Sequence, residues 1–103
     1  MANELQTTTG VRRDGQYHEF QPGEYGKAPF AEPSGFRWMC RPPWKHSGGD
    51  LINHKVTEHE DGTITVSPSI LIQTGPNMAW KWHGYLERGV WRECEPTKQG
   101  GGE

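Results

Sequence analysis

The dipeptide Asp61-Gly62 stands between two stretches suited to strands, 54–60 and 63–67, and it predicts a reversal of the chain there. A tight hairpin needs positive φ in its turn, which Gly supplies without steric cost. Ile64 and Val66 alternate with Thr63 and Thr65, the period of two expected of a strand with one buried face.

The same period recurs on either side. Phe36, Trp38 and Cys40 alternate with Arg37 and Met39. Residues 79–86 place Trp80 and Trp82 on one face and Lys81, His83 and Tyr85 on the other. Glu87-Arg88-Gly89 then turns the chain back into 90–94. Residues 69–73 form a short buried run. Pro68, which has no N–H to donate, is expected to end the ladder or to lie at an edge. Gly75-Pro76-Asn77 is a turn. Pro42, Pro43 and the Gly48-Gly49 pair make 41–50 a loop, and no window of a dozen residues carries a helical stripe. The expected fold is all-β: a small antiparallel sheet or partly open barrel built from hairpins, with an extended N-terminal arm.

Leu, Ile, Val and Phe together make up only fifteen of the 103 residues. Five Trp, each able to bury a large area, offset that shortage. All five lie in 36–94, and the larger apolar residues thin out before Gly35. The sequence therefore divides into a polar extended arm (1–35), a β-rich core domain (36–96) and a flexible Gly-rich tail (97–103). Tyr17, Phe20, Tyr25 and Phe30 are spaced along the arm, where they can pin it to the core or to a partner.

Eleven basic and thirteen acidic residues give a net charge of −2. That leaves no cationic surplus to displace counterions from phosphate, which argues against generic nucleic-acid binding. No apolar run has the roughly 18 residues needed to span a membrane. Met1-Ala2-Asn3-Glu4 lacks the basic and apolar segments of a secretory leader, so the chain is expected to stay in the cytoplasm where it is made. There Cys40 and Cys94 are expected as thiols or metal ligands rather than as a disulfide.

Two chemistries have candidate residues. Cys40 and His46 in the first loop, with His83 and Cys94 in the last hairpin, would supply the four ligands of a structural zinc site. Zinc is the one cofactor the sequence admits. Its spacing is not that of a tight Cys-x-x-Cys knuckle. The alternative is that Cys40 is buried, His46 lies at the surface, and the hairpin is ordinary. A thiolate–imidazole pair of Cys40 or Cys94 with His83 lacks an activating helix N-terminus and a third orienting group, so no catalytic residue is assigned. The second candidate is a binding surface. Trp44, Arg41, Lys45, Trp82, Tyr85 and Arg88 bring aromatic rings and cations together, as in a site for a nucleotide or a protein partner. The alternative for the Trp residues, and above all for Trp38 and Trp80, is that they fill a core poor in aliphatics.

The segment Ser67-Pro68-Ser69-Ile70-Leu71, preceded by the strand at 63–66, is followed by His83-Gly84-Tyr85-Leu86-Glu87-Arg88-Gly89-Val90 and ends at Cys94. In this order residues 36–94 resemble a family of small phage and prophage proteins of unassigned activity, often labelled ammonia monooxygenase. Members carry a Cys-x-x-Cys in the first loop and Cys-His in the later strand. Here these positions read Cys40-Arg41-Pro42-Pro43 and Trp82-His83, so two thiols are missing together. The resemblance thus implies that the metal has been lost and that Pro43 and Trp82 replace it with packing.

The expected function is that of a small phage-encoded accessory protein. It would engage a host protein or a small nucleotide in host takeover or counter-defence, without catalysis, in the host cytoplasm, as a monomer or homo-oligomer. The runner-up is a virion component of a phage head or tail, whose arm threads along neighbouring subunits. The third reading is a zinc-stapled domain or a metal-dependent enzyme.

Overall fold

The alternation read in 36–40 and 79–86 is realised as strands, and the expected all-β fold is present, with its strands in two sheets. A computed structural model describes residues 7–31 and 33–94. The predicted flexible tail, 97–103, lies outside the described residues. In chain order the strands are β1 (Thr7–Thr9), β2 (Val11–Arg12), β3 (Glu24–Pro29), β4 (Phe36–Cys40), β5 (Gly49–Asp50), β6 (Lys55–Glu58), β7 (Ile64–Thr74), β8 (Trp80–Glu87) and β9 (Val90–Glu93). One sheet has the order β1-β9-β8-β7-β6 and is antiparallel throughout. The other has the order β2-β3-β4-β5, with β2 parallel to β3.

Only Gly10 separates β1, in the first sheet, from β2, in the second. Its N–H donates to the Gly89 carbonyl at 2.7 Å. A Cβ at this position would stand 2.7 Å from Trp91 Nε1 and 3.0 Å from Tyr25 Cε2, so the crossing from sheet to sheet requires glycine. The shared core lies between the sheets. Tyr25 and Cys40 enter it from the smaller sheet, and Ile64, Val66, Ile70, Trp82, Leu86 and Trp91 from the larger. Trp91 is the hinge of the packing. It meets Tyr25 edge-on with centroids 6.3 Å apart and Trp82 edge-on at 5.6 Å, and its indole N–H donates to the Gly23 carbonyl. Aromatic pairs in this geometry add about 0.5–1.5 kcal/mol each beyond the area they bury.

The composition shift at Gly35 does not mark a break in the fold. Gly35 sits in the turn between β3 and β4, and the residues before it are integral. β3 pairs along its length with β4, and β1 completes the edge of the larger sheet. Phe20 and Ala28 build a second small core with Met39 on the outer face of the smaller sheet, covered by Tyr17. The described part of the predicted arm is thus part of the domain, because Phe20, Tyr25 and Ala28 take buried positions.

The hairpin at Asp61-Gly62 is present, though with a longer loop than the two-residue form. The Gly62 N–H donates to His59 O at 3.0 Å and the His59 N–H to Thr63 O at 2.8 Å, with Gly62 at φ +89°. This is a turn closed by a glycine bulge. The Asp61 carboxylate accepts from both the N–H and the hydroxyl of Thr63. Pro68 ends one ladder and not the other. Pairing of β7 with β6 stops at Ser67, while pairing with β8 resumes, after an irregularity, from Ile70 to Thr74. Among the described residues no helix is long and apolar enough to cross a membrane.

Candidate functional site

The period-two pattern of β4 sends Phe36, Trp38 and Cys40 to the same side of the smaller sheet. Cys40 goes fully into the core, whereas Phe36 and Trp38 are half-buried toward the open end. There they form one wall of a groove of about 300 Å³. Leu51, Ile52 and Val56 supply the remaining apolar surface, and Ser34, Arg37 and His54 the polar groups. Leu51 is buried, and its N–H donates to the Trp38 carbonyl at 3.0 Å, which anchors the 51–54 turn to β4. Ile52 is left on the rim, 58% exposed.

Cations surround this wall. Phe36 and Trp38 meet edge-on at 6.0 Å. Lys27 Nζ lies 4.5 Å from the Phe36 ring centre and 5.5 Å from that of Trp38, and the Arg12 guanidinium lies 5.1 Å from the latter. Glu58 bridges the two, at 3.0 Å from Arg12 and 3.9 Å from Lys27. Arg12 also pairs with Asp14 at 2.7 Å and donates to the Gly62 carbonyl, joining β2 to the tip of the β6–β7 hairpin. The hydrogen bond from Arg12 holds the Asp14 carboxyl below its ordinary pKa and raises that of the guanidinium. Arg37 stacks on Phe30 at 3.7 Å and pairs with Asp50 at 3.4 Å. The His54 Nε2 lies 3.1 Å from the Ser69 carbonyl, which can only accept, so this nitrogen carries the proton. His54 Nδ1 is buried and has no hydrogen-bond partner among the described residues. The groove thus offers aromatic and aliphatic walls fringed by ion pairs.

The six residues expected to form a binding surface fall in separate places. Trp82 is buried in the core against Trp91, because the inward face of β8 is the core face. Trp44 is also buried, with its indole N–H bonded to the Ser47 carbonyl. Neither ring presents a face to a ligand. The Arg41 guanidinium is turned back to the Phe20 carbonyl at 3.2 Å, while the neighbouring Lys45 is exposed. Tyr85 stands on the outer face of the larger sheet, and Arg88 occupies the β8–β9 turn. Phe36, Trp38, Ile52, His54 and Val56 were missed as a group. The alternation of Phe36 and Trp38 was visible, but not that the 51–54 turn folds over against it.

The four expected zinc ligands do not converge. Among the described residues no three His, Cys, Asp or Glu side chains form a metal-binding group. Burial pushes the Cys40 thiol up to about 12, which argues against a role as nucleophile. His46 is used in packing. It stacks on Trp80 at 4.1 Å and meets Trp44 edge-on at 5.1 Å. His83 and Cys94 do lie opposite each other across β8 and β9, with the Cys94 N–H on the His83 carbonyl, but the His83 Nε2 is bonded to the Ser69 hydroxyl at 2.9 Å. Compared with protein-family models, curated proteins and solved structures, the chain matches none.

Proposed function

We propose that this protein is a small non-catalytic binding module that takes a planar group into the groove beside Phe36 and Trp38. The ligand is a host protein or a small nucleotide, in the phage setting that the sequence resemblance implies. The observation that carries this reading is the groove itself, walled by five apolar side chains with Arg37 and His54 among its polar lining. A volume of about 300 Å³ suits one base or one or two side chains. The cations beside the aromatic wall are paired with Asp14, Glu58 and Asp50, so the rings rather than net charge select the ligand.

The reading is tested by following the five Trp indole N–H resonances during titration with cyclic and linear nucleotides, alongside capture of host proteins from lysate. A ligand of this groove moves the Trp38 resonance and leaves Trp82 and Trp91 in place. Trp38→Ala then weakens binding about ten- to hundred-fold, the effect of losing one stacked ring. If no nucleotide moves any indole resonance, and wild type and Trp38→Ala retain the same host proteins, the proposal fails.

A further inference from the structure

β7 is the longest strand, and it is flanked on both sides only in its first part. β6 covers Ile64 to Ser67, whereas from Ile70 to Thr74 the described residues place only β8 beside it. The side of this stretch facing away from β8 can be read from the ladder. The Cys94 N–H donates to the His83 carbonyl, so His83 directs its backbone groups toward β9 and away from β7. Its partner Leu71 is therefore in a non-hydrogen-bonded pair, and the N–H and C=O of Leu71 point to the open edge. By the alternation of an antiparallel ladder, so do those of Gln73. The Ser69 carbonyl also faces that way, but it is occupied by His54. The edge accordingly offers two donors and two acceptors, on Leu71 and Gln73.

We propose that this edge is covered by the same edge of a second copy, forming a two-fold dimer through β7. With antiparallel pairing centred on Ile72, Leu71 of each copy faces Gln73 of the other, and all four donors and acceptors of each edge are satisfied at once. Shifting the centre to Leu71 sets Gln73 against Ser69, whose carbonyl is already engaged. Residues 69–75 read Ser-Ile-Leu-Ile-Gln-Thr-Gly. They contain no charge to repel its counterpart across the axis and no proline. Strands of this kind are usually protected at an edge by Lys, Pro or a bulge, and this stretch has none after the irregularity around Pro68 that ends at Ile70. The ends of the edge also agree. Leu71 is 54% exposed, Met78 57% and Ile52 58%. Antiparallel pairing carries the loop bearing Met78 toward the partner's 51–54 turn, where Ile52 stands.

Sedimentation of the full chain over a range of concentrations, with amide exchange at each, tests this. The expected result is a concentration-dependent dimer in which the Leu71 and Gln73 amides exchange slowly, and faster on dilution. Gln73→Pro removes an N–H that makes no bond within the protomer, and Leu71→Lys places a charge beside the axis. Each should weaken the dimer at least ten-fold while the remaining amides keep their protection. Ile72→Cys should form an intermolecular disulfide under mild oxidation, since a non-hydrogen-bonded antiparallel pair brings its Cα atoms to about 4.5 Å. The proposal is overturned by a wild-type monomer at every concentration. It is equally overturned by a dimer that both substitutions leave intact, or by protection of Leu71 and Gln73 that does not depend on concentration, which would place another segment of the same chain on the edge.

Discussion

Arg12 gathers polar partners from three parts of the chain. It pairs with Asp14, reaches Glu58 and the Gly62 carbonyl on the other sheet, and lies over Trp38. The Asp14 carboxyl has a lowered pKa in the fold, mainly because Arg12 donates to it. A depressed carboxyl contributes stability above its unfolded pKa near 4 and loses it as the pH falls through the folded value. Unfolding free energy measured by denaturant should therefore decrease below about pH 4, and Asp14→Asn should flatten part of that decrease. The side chain is about half exposed, so the pair is worth about 1 kcal/mol or less. Asp61 titrates in the same direction through its bonds from Thr63, so some acid dependence survives the substitution. The outcome that would contradict this is an unchanged pH profile in Asp14→Asn.

At the scale of elements, the β8–β9 turn is built with one residue against its preference. Glu87 pairs with Val90, and the two residues between them, Arg88 and Gly89, have φ of +47° and +78°. Two positive φ values are the mark of the type I′ hairpin, where Asn-Gly is favoured. A residue with a Cβ other than Asn or Asp is strained there by about 1 kcal/mol. The Arg88 backbone N–H donates to the Thr65 hydroxyl, a bond that any residue but proline retains. Arg88→Asn is expected to stabilise the protein by about 0.5–1 kcal/mol, seen as a thermal midpoint higher by a few degrees. The outcome that would contradict this is a neutral or destabilising Arg88→Asn.

For the molecule as a whole, β1, β2 and β3 belong to the same cooperative unit as the Trp-rich region. A fragment of residues 36–103 loses Tyr25, Phe20 and Ala28 from the two cores, the partner of β4 and the edge strand over β9. It also loses the Gly23 carbonyl that accepts from the buried Trp91 indole. The fragment should fail to fold, giving an unfolded circular-dichroism spectrum and collapsed amide dispersion, while the full chain unfolds in one transition. A folded fragment would restore the division into arm and core.

Much of the secondary structure was legible in the residues because it depends on neighbours in the chain. The alternation in 36–40 and 79–86, the reversal at Asp61-Gly62 and the turn at Arg88-Gly89 are local, and the all-β class follows from them. The arm was misjudged because sparse apolar residues look like solvated chain until their partners are known. Tyr25 is buried only because Trp91 and Cys40, far along the sequence, close over it. The groove had the same obstacle, since Trp38 and Val56 become neighbours only once the two sheets face each other. The proposed zinc quartet was drawn from residue types, and the pairing of strands sent its members to different places. By itself the sequence determined where the chain extends and where it turns, for those depend on local φ preference and side-chain alternation. Which faces meet, which Trp are hidden and which strand edge stays open were decided by the packing of two sheets around residues distant in sequence.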